Sequence, residues 1–268
     1  MDKKIAARLL DEIRSKKPLI HHITNYVTVN DCANITICVG ASPVMADCIE
    51  EVEEMTGIAN ALVLNIGTLS PALIDSMVAA GIAANKKGIP VVLDPVGIGA
   101  TKLRTDSVLR LLKEVKFAVI KGNAGEIGVL AGAQATVRGV DSGGLEGDRV
   151  EVTKKCAQLT GSVVVMTGEV DIVSDGETVL TVSNGSSRMG ALSGTGCMTA
   201  SIIGAFCAVT DQYLTAAACG VALMGLCGQK AATYAKGPYS FRAGLADEMS
   251  RLKSVEFAVD AKIKHINP

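Results

Sequence analysis

The spacing of hydrophobic positions changes along this chain, and each change marks an element. In MDKKIAARLLDEIRSKK, Ile5, Leu9 and Ile13 fall four apart with charges between them. That spacing puts them on one face of an amphipathic helix, and charges throughout the segment argue against a secretion signal. From Ala61 onward, short β-rich runs alternate with helix-patterned segments. ALVLNIG leads to a helix over Pro71 to Lys87, IPVVLDPVG to a helix over Thr105 to Glu114, and FAVIKGN follows. Strands buried on both faces read as unbroken apolar runs, as at Val91 to Leu93 and Val163 to Met166. Alternation of this kind predicts βαβ units around a central parallel sheet with helices on both faces.

The pattern changes after Met166. DIVSDGETVLTVSN sets Asp175 and Gly176 between two alternating segments, which predicts an antiparallel hairpin at one edge of the sheet. The glycine-rich stretch Gly139 to Gly147 reads as a solvent-exposed loop between helices, with a flexible lid as the alternative. Two uncharged stretches, Met189 to Thr210 and Gln212 to Gln229, approach the length of a bilayer span. Gly, Ala, Ser and Thr dominate them, which predicts helices packed closely inside a protein, the second also a candidate for a subunit contact. No internal repeat or linker divides residues 1–268, so one domain is expected.

Composition narrows the classes of function. With 49% hydrophobic side chains the chain can fill one large core, and its formal net charge of −1 comes from interspersed acids and bases. Without a basic block to neutralise phosphodiesters, nucleic acid is not an expected partner. Eight cysteines lie scattered, without CxxC pairs, which fits a reducing cytoplasm. His21 and His22 have only the distant His265 as a third histidine, so hydrogen-bonding or packing roles are expected for them instead of metal ligation.

In open parallel sheets, ligands gather at the carboxyl ends of strands. The residues there are Met45 after SPV, Asn65 to Thr68 after ALVL, Asp94 after VVL, Lys121 to Glu126 after AVI, and Thr167 to Glu169 after VVVM. The turn Ser193 to Cys197 (SGTGC) opens onto the helix-like run MTASIIGAFCAV. Glycines that let backbone amides approach closely, at a helix start, form an anion hole; mere capping is the plainer alternative. Asp94 and Glu126 are carboxylates suited to Mg²⁺, directly or through water, against nucleotide phosphates. Their plainer roles are a turn former before proline and an acidic first-turn residue with Asn123 as N-cap. Lys121 and Thr167 suit phosphate, or simply finish strands. There is no GxxxxGK[ST] loop and no HRDxxxxN signature, so any phosphoryl-transfer scaffold here is a different one.

HHITNYVTVNDCAN, SPVMAD, NIGTL, VVLDPVGIGAT, KGNAGEI and SGTGCM occur in this order over nearly the whole chain. Together they resemble the motif set of the hydroxyethylthiazole kinases, within the ribokinase-like superfamily. The resemblance implies a ribokinase-like fold, a homotrimer with sites between subunits, and ATP-dependent phosphorylation of 4-methyl-5-(2-hydroxyethyl)thiazole in thiamine salvage. By position it implies that Met45, Asn25, Gly67, Thr68 and Gly194 face the thiazole, while Lys121, Thr167 and Asn123 serve ATP. Asp94 and Glu126 serve Mg²⁺, and Gly194, Gly196 and Cys197 stand at the reaction centre. Cys197 falls where ribokinase-like enzymes in general carry an aspartate base; a helix N-terminus and nearby cations can lower a thiol's pKa, so a thiolate there could accept the alcohol proton, a small buried hydrophobe being the plainer alternative. Arginine is the more usual residue at the Lys121 position, and lysine lacks its bidentate fork. Two alternatives stay open: a ribokinase-like kinase for a hydroxymethylpyrimidine or a sugar, and a silent nucleotide-binding protein.

Overall fold

A computed structural model describes residues 3–133, 135–138, 141–145 and 148–266. In chain order the elements are α1 (Lys3–Lys16), β1 (Leu19–Ile23), α2 (Val29–Val39), β2 (Ser42–Met45), α3 (Val52–Ile58), β3 (Ala61–Asn65), α4 (Pro71–Lys87), β4 (Val91–Asp94) and α5 (Lys102–Glu114). Then come β5 (Val119–Asn123), α6 (Ala124–Leu130), β6 (Ala135–Arg138), β7 (Asp141–Leu145), α7 (Arg149–Thr160), β8 (Val163–Thr167), β9 (Asp171–Ser174) and β10 (Val179–Val182). A 3₁₀ turn (Ser187–Ala191) precedes α8 (Thr195–Cys207), α9 (Tyr213–Ala232), α10 (Pro238–Arg251), α11 (Ser254–Asp260) and β11 (Ile263–Ile266).

The main sheet has nine strands in the order β11-β10-β9-β8-β5-β4-β3-β1-β2. Pairing is parallel from β2 through β8 and antiparallel from β8 through β11. Parallel strands need crossovers, and α4, with Ser70 as N-cap and Gly88 as left-handed C-cap, is one of them. Residues pointing to opposite faces build two apolar layers. One joins Val63, Val165 and Leu180 to α1, α8 and α9; the other joins Leu62, Leu64, Leu93 and Val164 to α4, α5 and α7. The fold is α/β, with a mostly parallel sheet between two helical layers and an antiparallel edge.

The expected hairpin is β9–β10, where Asp175 Oδ1 accepts the amides of Glu177 (3.0 Å) and Thr178 (2.7 Å) and Gly176 takes φ 99°. The two uncharged stretches resolve into the 3₁₀ turn, α8 and α9. Among the described residues α9 is the one helix long and apolar enough to cross a membrane, and 78% of its apolar window is buried within the protein. Every residue from Ala216 to Gly228 is buried. That part of α9 therefore has no face left for a subunit contact, while residues 212–215 and 229 of the same stretch stay partly or fully exposed. The glycine-rich stretch also departs from expectation: Asp141–Leu145 forms β7 and pairs antiparallel with β6. Residues 139, 140, 146 and 147, which complete the expected loop, lie outside the described residues.

Candidate active site

The register of the parallel strands sets the site. Asn65 ends β3 opposite Asp94, which ends β4, and Asn123 ends β5 opposite Thr167, which ends β8. The start of α8 faces this rim. Gly194, its N-cap, has φ 94°, and a Cβ there would stand 2.8 Å from Thr28 Cγ2. Glycine is therefore required twice over, by conformation and by space. A helix leaves the N–H groups of its first turn without internal acceptors, here those of Thr195, Gly196 and Cys197. Gly196 is tight against the site as well, since its Cβ would lie 2.9 Å from Lys121 Nζ.

Asp94 and Lys121 are almost wholly buried, with Nζ donating to Asp94 Oδ1 at 3.3 Å. Burial alone would pull the ammonium down, but Asp94 and then Glu126 outweigh it, so the Lys121 pKa rises and the charge is held. Glu126 accepts from Gly97 N through Oε1 (2.8 Å) and from Asn123 N through Oε2 (2.8 Å), and Asn123 Oδ1 accepts from Glu126 N (2.9 Å). This is a complete capping box at the start of α6. Burial, and next the neighbouring Asp94, push the Glu126 carboxyl above its ordinary range, against the pull of Lys121 and the two amides. The Asn123 oxygen, expected on the nucleotide, is thus engaged by the cap. Thr167 Oγ1 donates to Gly122 O (3.2 Å).

Asn25 is buried, and Thr28 donates to its Oδ1 through both backbone N and Oγ1 (each 3.0 Å). Its Nδ2 donates to Asn65 Oδ1 (2.9 Å) and toward Cys197 Sγ (3.5 Å). Gly67 packs so closely that a Cβ would lie 2.9 Å from Asn25 Cβ, and Thr68 Oγ1 accepts from Tyr26 N (3.2 Å). Arg104 fastens this loop by donating to the carbonyls of Ile66 (3.0 Å), Gly67 (2.9 Å) and Val96 (2.7 Å). Met45 stands further out, half-buried at the end of edge strand β2, with β1 between it and β3.

Cys197 is the third residue of α8. The expected lowering of its pKa does not occur: burial, and next the Asp94 charge, push the thiol up, and Lys121, Thr28 and Asn25 only partly oppose this. Beside it opens a cleft of about 770 Å³ between Thr167–Asp171, Ser183–Gly190, the first turns of α8 and Val221, Met224 and Gly225 of α9. The cleft is therefore polar and amide-lined at the α8 end and apolar at the α9 end, the division a nucleotide's phosphates and base require.

His21 and His22 take the hydrogen-bonding roles expected of them. His21 bonds Thr56 Oγ1 (2.9 Å) and Ala46 O (2.7 Å), and His22 Nδ1 bonds Ile20 O (3.0 Å). Sequence reasoning passed over Thr28, Arg104 and the distinct role of Asn65. The one available signal was Asn65 itself, a polar residue closing the apolar run ALVL.

The hydroxyethylthiazole kinase family model matches residues 10–255. A hydroxyethylthiazole kinase of Methanoculleus marisnigri is 56% identical over 264 residues, covering 98% of this chain and 95% of that protein. One of Methanocella arvoryzae is 52% identical, covering 98% and 99%. Among solved structures, hydroxyethylthiazole kinase protein from Pyrococcus horikoshii superposes with TM-score 0.89 at 40% identity, covering 98% of this chain and all of that one. A ribokinase-like superfamily protein of Enterococcus faecalis (TM-score 0.60, 15% identity, covering 91% and 94%) shares the fold alone. The match over nearly the full length, at identities far above those that preserve only a fold, leaves one assignment: the chain belongs to the hydroxyethylthiazole kinase family.

Proposed function

We propose that this chain transfers the γ-phosphoryl group of ATP to the primary hydroxyl of 4-methyl-5-(2-hydroxyethyl)thiazole. The observation that carries this reading is the meeting, at the start of α8, of three things. A cleft shaped for a nucleotide opens there, the Asp94–Lys121 pair sits behind Gly196, and the Cys197 sulfur lies beside the Asn25–Gly67 pocket. Asn25, Gly67, Thr68, Gly194 and Met45 face the thiazole, while Lys121, Thr167 and the Asn123 segment serve ATP. The amides around Gly194 and Gly196 receive charge that develops on the migrating phosphoryl oxygens. Cys197 accepts the proton of the attacking hydroxyl. Its raised pKa makes it a scarce but strong base, so positioning and charge supply most of the acceleration.

The donor set fits Mg²⁺ held through water. Asp94 and Glu126 are buried carboxylates close enough that each raises the other's neighbour Lys121, yet both Glu126 oxygens already accept backbone N–H groups. Asp94 and Glu126 would hold such an ion, which would supply positive charge against the phosphates. Residues 1–268 act as one domain, supported by a main sheet whose strands run from β1 to β11. A homotrimer is supported by exposed Tyr26 (78%) and Val27 (61%) beside the acceptor pocket, apolar surface that a neighbouring subunit would cover. Free thiols at all eight cysteines support a cytoplasmic location.

A coupled ADP-release assay over a panel of hydroxyalkyl thiazoles, hydroxymethylpyrimidines and sugars tests the reading. Turnover confined to the thiazole alcohol is expected. Preference for another acceptor moves the assignment within the superfamily, and no turnover with any rejects it. Light scattering near 27.6 kDa, the mass of one chain, would contradict the trimer.

A further inference from the structure

Four hydrogen bonds converge on one fully buried side chain. Asn65, 1% exposed at the end of β3, accepts through Oδ1 from Asn25 Nδ2 (2.9 Å) and Gly67 N (2.9 Å). Through Nδ2 it donates to Asp94 Oδ2 (2.8 Å) and Cys197 Sγ (3.2 Å). The orientation of this amide is settled by its neighbours. Gly67 N–H can only donate, so the atom it meets is oxygen, and the NH₂ group must face Asp94 and Cys197. Thr28 N–H fixes Asn25 in the same way, because it meets Asn25 Oδ1 at 3.0 Å and leaves Asn25 Nδ2 facing Asn65 and the sulfur. Two side-chain amides, each locked by a backbone donor, therefore direct N–H groups at Cys197 Sγ.

The two hydrogens of an NH₂ group diverge in the amide plane, so Asn65 offers one to the Asp94 carboxylate and one to the sulfur. It stands as a donor between two groups that would repel each other if both were anionic. Its oxygen reaches the other way, to Asn25 and Gly67 on the acceptor side. Any polar residue can close a strand; here each of the four partners belongs to the reaction centre or to the pocket beside it.

We propose that Asn65 is a positioning residue that locks the acceptor pocket, Asp94 and Cys197 into one arrangement, an inference that rests on the reading of the site given above. Aspartate has the same shape and keeps an oxygen for Asn25 and Gly67, but it puts oxygen where the NH₂ group stood. Alanine removes all four bonds and leaves room for water.

The test uses Asn65→Asp and Asn65→Ala in the full chain, each checked for folding by circular dichroism and thermal melting. With the thiazole alcohol as acceptor, kcat should fall at least tenfold in both. Iodoacetamide labelling of Cys197, followed peptide by peptide to separate it from exposed Cys48, gives a readout independent of turnover. At one fixed pH the Asn65→Asp variant should label at least threefold more slowly than the parent, because the carboxylate repels the attacking thiolate without opening access to it. A kcat within twofold of the parent in either folded variant, or labelling that is unchanged or faster in Asn65→Asp, overturns the proposal. If the parent itself fails to turn over the alcohol, the functional reading falls, and the labelling rates still decide whether Asn65 holds the sulfur.

Discussion

At the scale of single residues, the chemistry of Cys197 follows from where its sulfur lies. A thiol at a helix N-terminus next to a lysine is expected to ionise easily, yet burial and the Asp94 charge dominate and raise it. Cys197→Ser should lower kcat without abolishing it, since general-base assistance is worth about 10²–10⁴-fold and positioning survives. Unchanged kcat in that variant would remove the base assignment. Cys197→Asp should keep substantial activity and change the pH profile. The parent's kcat should climb with pH toward the raised thiol pKa, whereas a carboxylate base is ionised well below neutrality, so the aspartate variant's plateau should begin at lower pH. A stopped assay from pH 6 to 10, run at saturating substrates, separates the two shapes. The sequence made Cys197, Asp94, Lys121 and Glu126 legible because chemically loaded residues closing apolar runs are conspicuous. It did not make legible that Glu126 closes the capping box of α6 while its charge acts on Lys121, or that Asn65 bonds Asn25, Gly67, Asp94 and Cys197 at once. Those facts depend on register between strands far apart in the chain, which no local pattern records.

Among the elements, the start of α8 is the one most tightly constrained by its neighbours. Gly194 and Gly196 are both excluded from bearing a side chain, the first by Thr28 and the second by the Lys121 ammonium. The two exclusions have different consequences. Gly196 is inside the helix, where alanine is the better helix former by about 1 kcal/mol, so Gly196→Ala should cost little stability. Its methyl must displace Nζ, 2.9 Å away, at the end of a flexible side chain. The expected result is a several-fold higher KM for ATP with a melting temperature within a few degrees of the parent; an unaltered KM would show that Lys121 does not meet the nucleotide. Helix α4, the strand cores at Val91 and Val163, and the hairpin at Asp175 could be read directly, because each has a clean period or turn signal. β1 could not, since LIHHI places two histidines in a buried strand; their rings are satisfied by Thr56, Ala46 and Ile20, contacts made only on folding. β7 was likewise hidden, its glycines reading as loop.

For the whole molecule, two buried groups tilt stability with pH in opposite directions. Burial pushes His22 from 6.5 down to about 4, opposed only in part by its bond to Ile20 O, and its Nε2 has no hydrogen-bond partner among the described residues. The unfolded chain then binds the proton first as pH falls, so this contribution is complete above pH 6.5 and is lost progressively down to about pH 4. Asp171, at the floor of the cleft, is pushed by burial from 3.8 up to about 7, against the Gly168 amide that donates to it at 2.8 Å. Here the folded state holds the proton more tightly, so stability is greatest below pH 3.8 and declines as pH rises to about 7. Each effect is limited to about 1.4 kcal/mol per pH unit, and between pH 4 and 6.5 the two oppose one another. The parent should therefore show a shallower slope there than either group alone would give. Relative to the parent, His22→Asn should gain stability as pH falls through that window, and Asp171→Asn, which keeps an acceptor for Gly168, should lose it. Urea midpoints measured at half-unit steps check the pair. Slopes of the same sign in both variants would mean that at least one of these groups titrates near its ordinary value, and that the interior around it admits water.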